Sequence, residues 1–115
     1  MAVPGPEGIV RVETTVDSRE GAERVARSLI EHRLAACAQV SGPITSFYRW
    51  EGEVQTDEEW MVVAKTSADR VDGLTAHVVE VHPYDVPEVV AVPVTRGNAS
   101  YLSWVGDETR GGGTA

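Results

Sequence analysis

A short segment between two prolines carries the side chains best suited to chemistry in this chain. It reads His82-Pro83-Tyr84-Asp85-Val86-Pro87-Glu88 and is called the proline loop below. Each proline fixes its own φ, lacks a backbone donor and pushes the preceding residue out of the helical region. We therefore predict that a helix ends at His82 and a strand starts at Glu88. A rigid loop presenting an imidazole, a phenol and two carboxylates is a candidate site.

His82 and Cys37 are the side chains most suited to ligating a metal. A neutral imidazole suits copper and zinc, and a thiolate suits Cu(I). The sequence has neither a Cys/His quartet nor an HExxH pattern, so we name copper, weakly bound, ahead of zinc. The alternatives are a helix cap for His82 and a small buried core residue for Cys37. His32 and His77 are predicted to be solvent-facing surface residues.

A second candidate site is a cleft lined by Lys65, Tyr84 and Glu59. Lys65 ends an apolar strand and would bind or pair with an anion there, unless its ammonium group simply reaches water. Glu59 closes a carboxylate cluster made of Glu51, Glu53, Asp57, Glu58 and Glu59. This cluster would gather divalent cations or, alternatively, keep a hairpin tip soluble. No nucleophile–base pair and no phosphate loop can be identified, so we do not expect an enzyme.

The elements that must position these side chains alternate between strand and helix. A strand over 8–16 precedes a helix with Asp17 as its N-cap and Glu20 completing a capping box. Steps of three and four residues place these on its buried face: Ala22, Val25, Ala26, Leu29, Ile30 and Ala36. The following strands are predicted over 36–40, 44–50 and 53–66, with Ser41-Gly42-Pro43 as an interruption and Glu51-Gly52 as a tight turn. Together the last two form a hairpin that overhangs a small sheet.

The second half of the chain repeats the helix–strand alternation. Ser67 or Asp69 is the predicted cap of a second helix, and Asn98 the predicted cap of a short closing helix. Between them, the branched run Val89 to Val94 indicates a strand that is buried on both faces or at its own centre. The order strand, helix, strand, strand, helix, strand predicts an α+β, ferredoxin-like βαββαβ fold.

Size and composition restrict the classes of function. A chain of 115 residues is one domain, predicted over 9–106, with flexible tails at 1–8 and 107–115. The net charge of −8 argues against nucleic-acid binding. No apolar run approaches the ~20 residues of a membrane helix, which argues against a membrane partner. The start of the chain does not resemble a signal peptide and one cysteine cannot form an internal disulfide, so a cytoplasmic location is expected.

Four blocks of sequence resemble the CutA family of divalent-cation tolerance proteins. They are the proline loop and the segments 33–38, 48–52 and 101–104, and the resemblance as a whole covers roughly 9–105. The resemblance implies a ferredoxin-like subunit in a tight homotrimer whose long hairpin wraps neighbouring subunits. Trp50, Trp104 and Tyr101 are then expected at the interfaces, which agrees with the overhanging hairpin. Some family members bind copper.

The chain departs from some bacterial relatives at two positions that concern metal binding. It has Thr14 where they carry a cysteine and Val81 where they carry the first of two histidines. The implied ligand set is thereby reduced to His82. Two hypotheses remain open. The first is a protein that binds divalent cations, chiefly copper. The second is a sensor resembling the PII proteins, which binds a small anionic metabolite between subunits and signals that binding to an unidentified protein partner.

Overall fold

The computed structural model describes residues 8–110, so most of both predicted tails lie outside the described residues. The elements are β1 (Ile9–Val16), α1 (Arg19–Glu31), β2 (Cys37–Trp50), β3 (Glu53–Ser67), a 3-10 turn (Ala68–Arg70), α2 (Val71–Val81), β4 (Val90–Val94) and α3 (Ala99–Thr109). The strands form one antiparallel sheet in the order β2-β3-β1-β4. The order of the elements along the chain confirms the predicted α+β, ferredoxin-like βαββαβ fold with a closing helix.

The main core lies between the sheet and the first two helices. Val12 and Val16 of β1 pack with Leu29 of α1 and with Leu74 and Val78 of α2 in one buried cluster. We call this side of the sheet the helix face. On the opposite side, the open face, α3 covers only one end. Among the described residues no helix is long and apolar enough to cross a bilayer.

The first helix begins one residue later than predicted. Ser18 is its N-cap, because its backbone is extended and its Oγ accepts a hydrogen bond from the amide of Gly21 at 2.9 Å. The predicted capping box of Asp17 and Glu20 is therefore wrong. Ile30, placed on the buried face by its spacing, is 40% exposed, whereas its neighbour Leu29 is 1% exposed and takes that place in the core.

Strand β2 is continuous, whereas the sequence predicts an interruption. Its register against β3 shifts between Ser41 and Ile44, so Gly42 and Pro43 form a bulge inside the strand. Gly42 has a φ of +149°, and a Cβ there would lie 2.7 Å from Cδ1 of Trp60. Only glycine allows this close packing. The predicted tight turn at Glu51-Gly52 is confirmed, with φ values of 52° and 83°.

The second helix and the last strand both differ from the sequence prediction. Neither Ser67 nor Asp69 caps α2, because a 3-10 turn intervenes and the cap residue is Arg70. The hydroxyl of Ser67 instead lies 2.7 Å from Oγ1 of Thr109, which ties the end of β3 to α3. That helix, capped by Asn98 as predicted, continues to Thr109 and so passes the predicted domain boundary at 106.

Strand β4 lies at the edge of the sheet and is largely exposed, so its predicted burial is wrong. It pairs with β1 alone. Val90 and Val92 are nearly half exposed, and their register with β1 places them on the open face. A run of branched residues can therefore indicate a face that the single chain leaves uncovered as well as a buried strand.

We predict that the helix face carries most of the folding stability of the chain. Replacing fully buried Leu74 by alanine should lower the free energy of unfolding by about 2–5 kcal/mol, because it leaves a cavity in the core. Val79→Ala on the exposed side of α2 is the matched control and should change it by no more than about 0.5 kcal/mol. Urea unfolding at one protein concentration measures both. Equal effects would contradict this location of the core.

Candidate functional site

The ring of His82 connects the proline loop to the first strand. Its Nε2 lies 2.8 Å from the carbonyl oxygen of Thr15, and its Nδ1 lies 3.1 Å from the amide nitrogen of Tyr84. A carbonyl only accepts and an amide N–H only donates, so Nε2 carries the proton and Nδ1 accepts. The ring is 8% exposed, and the His82 amide also ends α2 by donating to the carbonyl of Val78.

This arrangement gives His82 a positioning role. Both ring nitrogens are engaged, so a metal ion would have to displace either Thr15 or the amide of Tyr84. The helix-cap alternative considered for His82 is the one that the geometry favours. Its ring also lies against that of Tyr84, with the two centroids 4.7 Å apart.

Tyr84 and Glu59 meet as the predicted cleft requires. The Tyr84 hydroxyl donates to Oε2 of Glu59 at 2.7 Å, and Glu59 is almost fully buried at the base of the hairpin. Burial and then the neighbouring Glu59 carboxylate raise the pKa of Tyr84 well above its ordinary value. The phenol therefore stays protonated and keeps its hydrogen bond throughout the neutral range.

The bulge in β2 decides which side of the hairpin is polar. Odd-numbered residues of β3 lie on the open face throughout. Their partners on β2 are odd-numbered before the bulge and even-numbered after it. Tyr48 therefore lies on the same side as Asp57 and Glu59, and its hydroxyl donates to the carboxylate of Asp57. This hydrogen bond, followed by burial and the charge of Asp57, raises the pKa of Tyr48.

These groups line a groove of about 740 Å³ between the hairpin and the proline loop. Its carboxylates are Asp17, Asp57, Glu58, Glu59, Asp85 and Glu88. Among the residues that the structure describes, no Lys, Arg or His side chain lines it. Burial, and then the charges of Glu13 and Glu59, raise the pKa of Glu88. The groove therefore has a strongly negative potential, which favours cations and disfavours anions.

The carboxylates of this acidic groove are spread along its walls. Within residues 8–110, no three His, Cys, Asp or Glu side chains come close enough together to hold one ion. Asp57, Glu58 and Glu59 are recognisable from the sequence as a carboxylate cluster, and Asp85 and Glu88 as part of the proline loop. Asp17 is not, because its position before a helix indicates a cap and no sequence signal joins it to the hairpin.

Cys37 lies at the other end of the sheet from the acidic groove. It pairs with Lys65 on β3, whereas Thr15, which holds His82, pairs with Met61. These positions on β3 are ~13 Å apart, so Cys37 and His82 of one chain cannot share an ion. The sulfur of half-buried Cys37 lies 3.2 Å from the hydroxyl of Tyr101. Burial, and then this contact, raise the pKa of Tyr101 to about 12.

Lys65 also lies apart from the groove. Its register places it on the open face between Arg11 of β1 and Cys37 of β2. It is about 20 Å along β3 from Glu59, so one chain assembles Tyr84 and Glu59 but not the complete predicted cleft. The three aromatic residues predicted at interfaces, Trp50, Tyr101 and Trp104, are each between 40% and 49% exposed.

Comparison with known proteins identifies a family. The sequence model of the protein family described as CutA1 divalent ion tolerance protein matches residues 10–108 of this chain. A chloroplastic CutA 1 protein of Oryza sativa is 46% identical over 99 residues, 86% of this chain but only 56% of the relative's length. The divalent-cation tolerance protein CutA of Thermus thermophilus is 44% identical over 83% of this chain and 92% of its own length. The crystal structure of CutA1 from Oryza sativa superposes with a TM-score of 0.86 at 45% identity, covering 89% of this chain and 94% of that chain.

The raised pKa of Tyr84 predicts how stability depends on alkaline pH. Its pKa is higher in the folded protein than the ordinary value of about 10 in the unfolded chain. The contribution of Tyr84 to the free energy of unfolding is complete below pH ~10. Above pH ~10 the Tyr84 phenol loses its proton in the unfolded chain before it does so in the folded protein, so the free energy of unfolding falls. Tyr84→Phe should show a shallower fall between pH ~9 and ~11.

The same variant gives a second readout at pH 8. It should be less stable than the original protein by about 1–2 kcal/mol, because Glu59 loses a hydrogen bond. Urea unfolding at pH 8, and at several pH values between ~9 and ~11, measures the two effects. An alkaline decline as steep in the variant as in the original protein would contradict the assignment.

Proposed function

We propose that this chain, which belongs to the CutA1 family of divalent ion tolerance proteins, binds divalent cations weakly in the acidic groove and so contributes to cation tolerance. The observation that carries the proposal is the set of six acidic residues that line one groove, to which no Lys, Arg or His of residues 8–110 contributes. Such a groove concentrates divalent cations even without a preformed chelate. The proposed role is binding rather than catalysis.

Copper remains the strongest binder in this proposal, but through different ligands from those predicted. Affinity of a given site rises from Mn²⁺ to Cu²⁺ along the Irving–Williams order, so a carboxylate groove also prefers copper among these ions. We assign this attraction to the groove carboxylates, among them Asp57 and Asp85, which hold the ion loosely and, among the described residues, form no three-ligand cluster. His82 is held by two hydrogen bonds and Cys37 lies at the far end of the sheet, which is why we assign neither to this site.

We further propose that the chain forms a homotrimer. The open face, including Val90 and Val92, and the hairpin tip, including Phe47 and Val54, leave large apolar side chains exposed. Phe47 is 71% exposed, which is unfavourable for a hairpin that ends in water. Covering these surfaces with neighbouring copies would bury them and place Trp50, Tyr101 and Trp104 at interfaces. The cytoplasmic location stays a prediction.

A second candidate function is a PII-like sensor of a small anionic metabolite. The observation in its favour is the direct register of Lys65 with Arg11 on neighbouring strands. Arg11 is already paired with Glu13 at 2.8 Å, whereas no ion pair among the described residues includes Lys65. An anion held between Lys65 and a neighbouring subunit would pair with its ammonium group. The negative groove containing Glu59 and Tyr84 would not attract such a ligand, so this site would lie on the open face.

Removing groove carboxylates should weaken cation binding. Mn²⁺ is the probe, because it prefers carboxylate oxygen to imidazole. Asp57→Asn combined with Asp85→Asn should weaken binding by about tenfold, equivalent to ~1.4 kcal/mol. Titration calorimetry measures the change.

Two controls make this test specific to the groove. Glu20→Gln with Glu23→Gln removes the same charge from the exposed side of α1 and should have little effect. Lys65→Ala should leave Mn²⁺ binding intact but abolish binding of a metabolite anion on the open face. Equal weakening by both carboxylate pairs would mean that the ion responds only to net charge, which contradicts the proposed site.

Light scattering tests the trimer. The protein should have a mass of about three times the 12.4 kDa of one chain. Trp50→Ala should weaken the association, so that smaller species appear on dilution, while Val79→Ala on α2 should not change the mass. A monomer at micromolar concentration in the unmodified protein would overturn the proposal.

A further inference from the structure

Two histidines that the sequence places far apart meet on the helix side of the molecule. His32 is the C-cap residue of α1 and His77 lies within α2. Their ring centroids are 4.7 Å apart, with the ring planes inclined at 42°. His32 is exposed and His77 is half-buried, so the pair is accessible from solvent at the junction of the two helices.

A single residue, Ser28, engages both rings. Nδ1 of His32 lies 2.9 Å from the Ser28 carbonyl oxygen, and Nε2 of His77 lies 2.5 Å from the Ser28 hydroxyl oxygen. Since a carbonyl only accepts, His32 is protonated on Nδ1 and its Nε2 carries a free lone pair. When His77 donates from Nε2 to the hydroxyl, its Nδ1 carries a free lone pair as well.

We propose that His32 and His77 form a binding site for a divalent transition-metal ion, with Cu²⁺, Ni²⁺ and Zn²⁺ as the ions of suitable chemistry. Imidazole nitrogen suits these three ions, unlike the oxygen ligands of the acidic groove. Metal-bound histidines nearly always donate their other ring N–H to a carbonyl, carboxylate or water, which fixes the ring. Here the Ser28 carbonyl and hydroxyl are already in those places.

The site is a two-ligand site. No third His, Cys, Asp or Glu within residues 8–110 lies near enough to complete it, so water fills the remaining positions. With their centroids 4.7 Å apart, the two rings are close enough for nitrogen atoms of both to contact one ion. Because the ligands come from α1 and α2, a bound ion would link these helices and stabilise the folded protein. The site lies at the two helices, separate from the acidic groove between the hairpin and the proline loop.

Pulsed electron paramagnetic resonance of Cu²⁺ added to the full, tag-free chain tests this site. Coordinated imidazole gives modulation from its remote ring nitrogen, which carboxylate ligands do not. We expect the modulation pattern of two imidazoles in the unmodified protein, and its loss in His32→Gln with His77→Gln. The groove variant with Asp57→Asn and Asp85→Asn is the matched control and should retain it.

Two further variants separate ligation from folding. His32→Gln alone changes an exposed side chain and should reduce the pattern to at most one imidazole. Ser28→Ala keeps both ligands but removes one outer partner, and should weaken Cu²⁺ binding by about 10–100-fold. Zn²⁺ at millimolar concentration should raise the Tm of the unmodified protein by about 4 °C more than that of the double histidine variant, which keeps the acidic groove.

Oxygen-only ligation in the unmodified protein would overturn the proposal. Imidazole modulation that persists in the double histidine variant would also overturn it, because His82 would then be the only histidine left. Neither result depends on the Mn²⁺ titration, so this site and the acidic groove can fail separately.

Discussion

The two hydrogen bonds of the His82 ring are the interactions on which the candidate site depends. The proline loop cannot hold itself by backbone pairing, because Pro83 and Pro87 have no amide donors. The imidazole compensates by donating to β1 at Thr15 and accepting from the loop at Tyr84. A neutral ring of fixed tautomer is needed for both bonds. The phenol of Tyr84 reaches Glu59 only while the loop is held in this way.

The bulge at Gly42 and Pro43 is the second constraint. Without it, strand alternation would direct Tyr48 to the opposite side of the hairpin from Asp57 and Glu59. With it, the polar side of the hairpin tip continues the open face of the sheet. The carboxylates of the hairpin thereby face those of the proline loop, and the groove between them acquires its negative potential. Close packing of Gly42 on Trp60 allows the strand to bend there.

The charges of the chain are separated along the sheet. Carboxylates gather where the hairpin leaves the sheet, whereas Lys65 and Arg11 lie on the open face near α3. Exposed apolar side chains on that face and on the hairpin tip remain uncovered in the single chain. The two histidines between α1 and α2 belong to the helix side. Cation chemistry based on oxygen and on nitrogen ligands would thus occupy different parts of one small fold.

The sequence by itself determined the fold class, the order of the elements, the hairpin turn and the closing helix with its Asn98 cap. These follow from hydrophobic periodicity and from local turn and cap chemistry, which depend on neighbours along the chain. It also identified the proline loop, because two prolines restrict the backbone whatever surrounds them. Tyr84 and Glu59, two of the three residues named for the cleft, are in contact, and their binding of a ligand stays a prediction.

Only the tertiary structure decided which chemistry the side chains share. His82 is a positioning residue because Thr15, distant in sequence, lies against its ring. Lys65 is separated from Tyr84 because strand register, and not sequence distance, sets its neighbours. His32 and His77, predicted to be ordinary surface residues, meet because α1 and α2 pack side by side on the sheet. Contacts between elements depend on register and packing, and neither is encoded in the local pattern of residues.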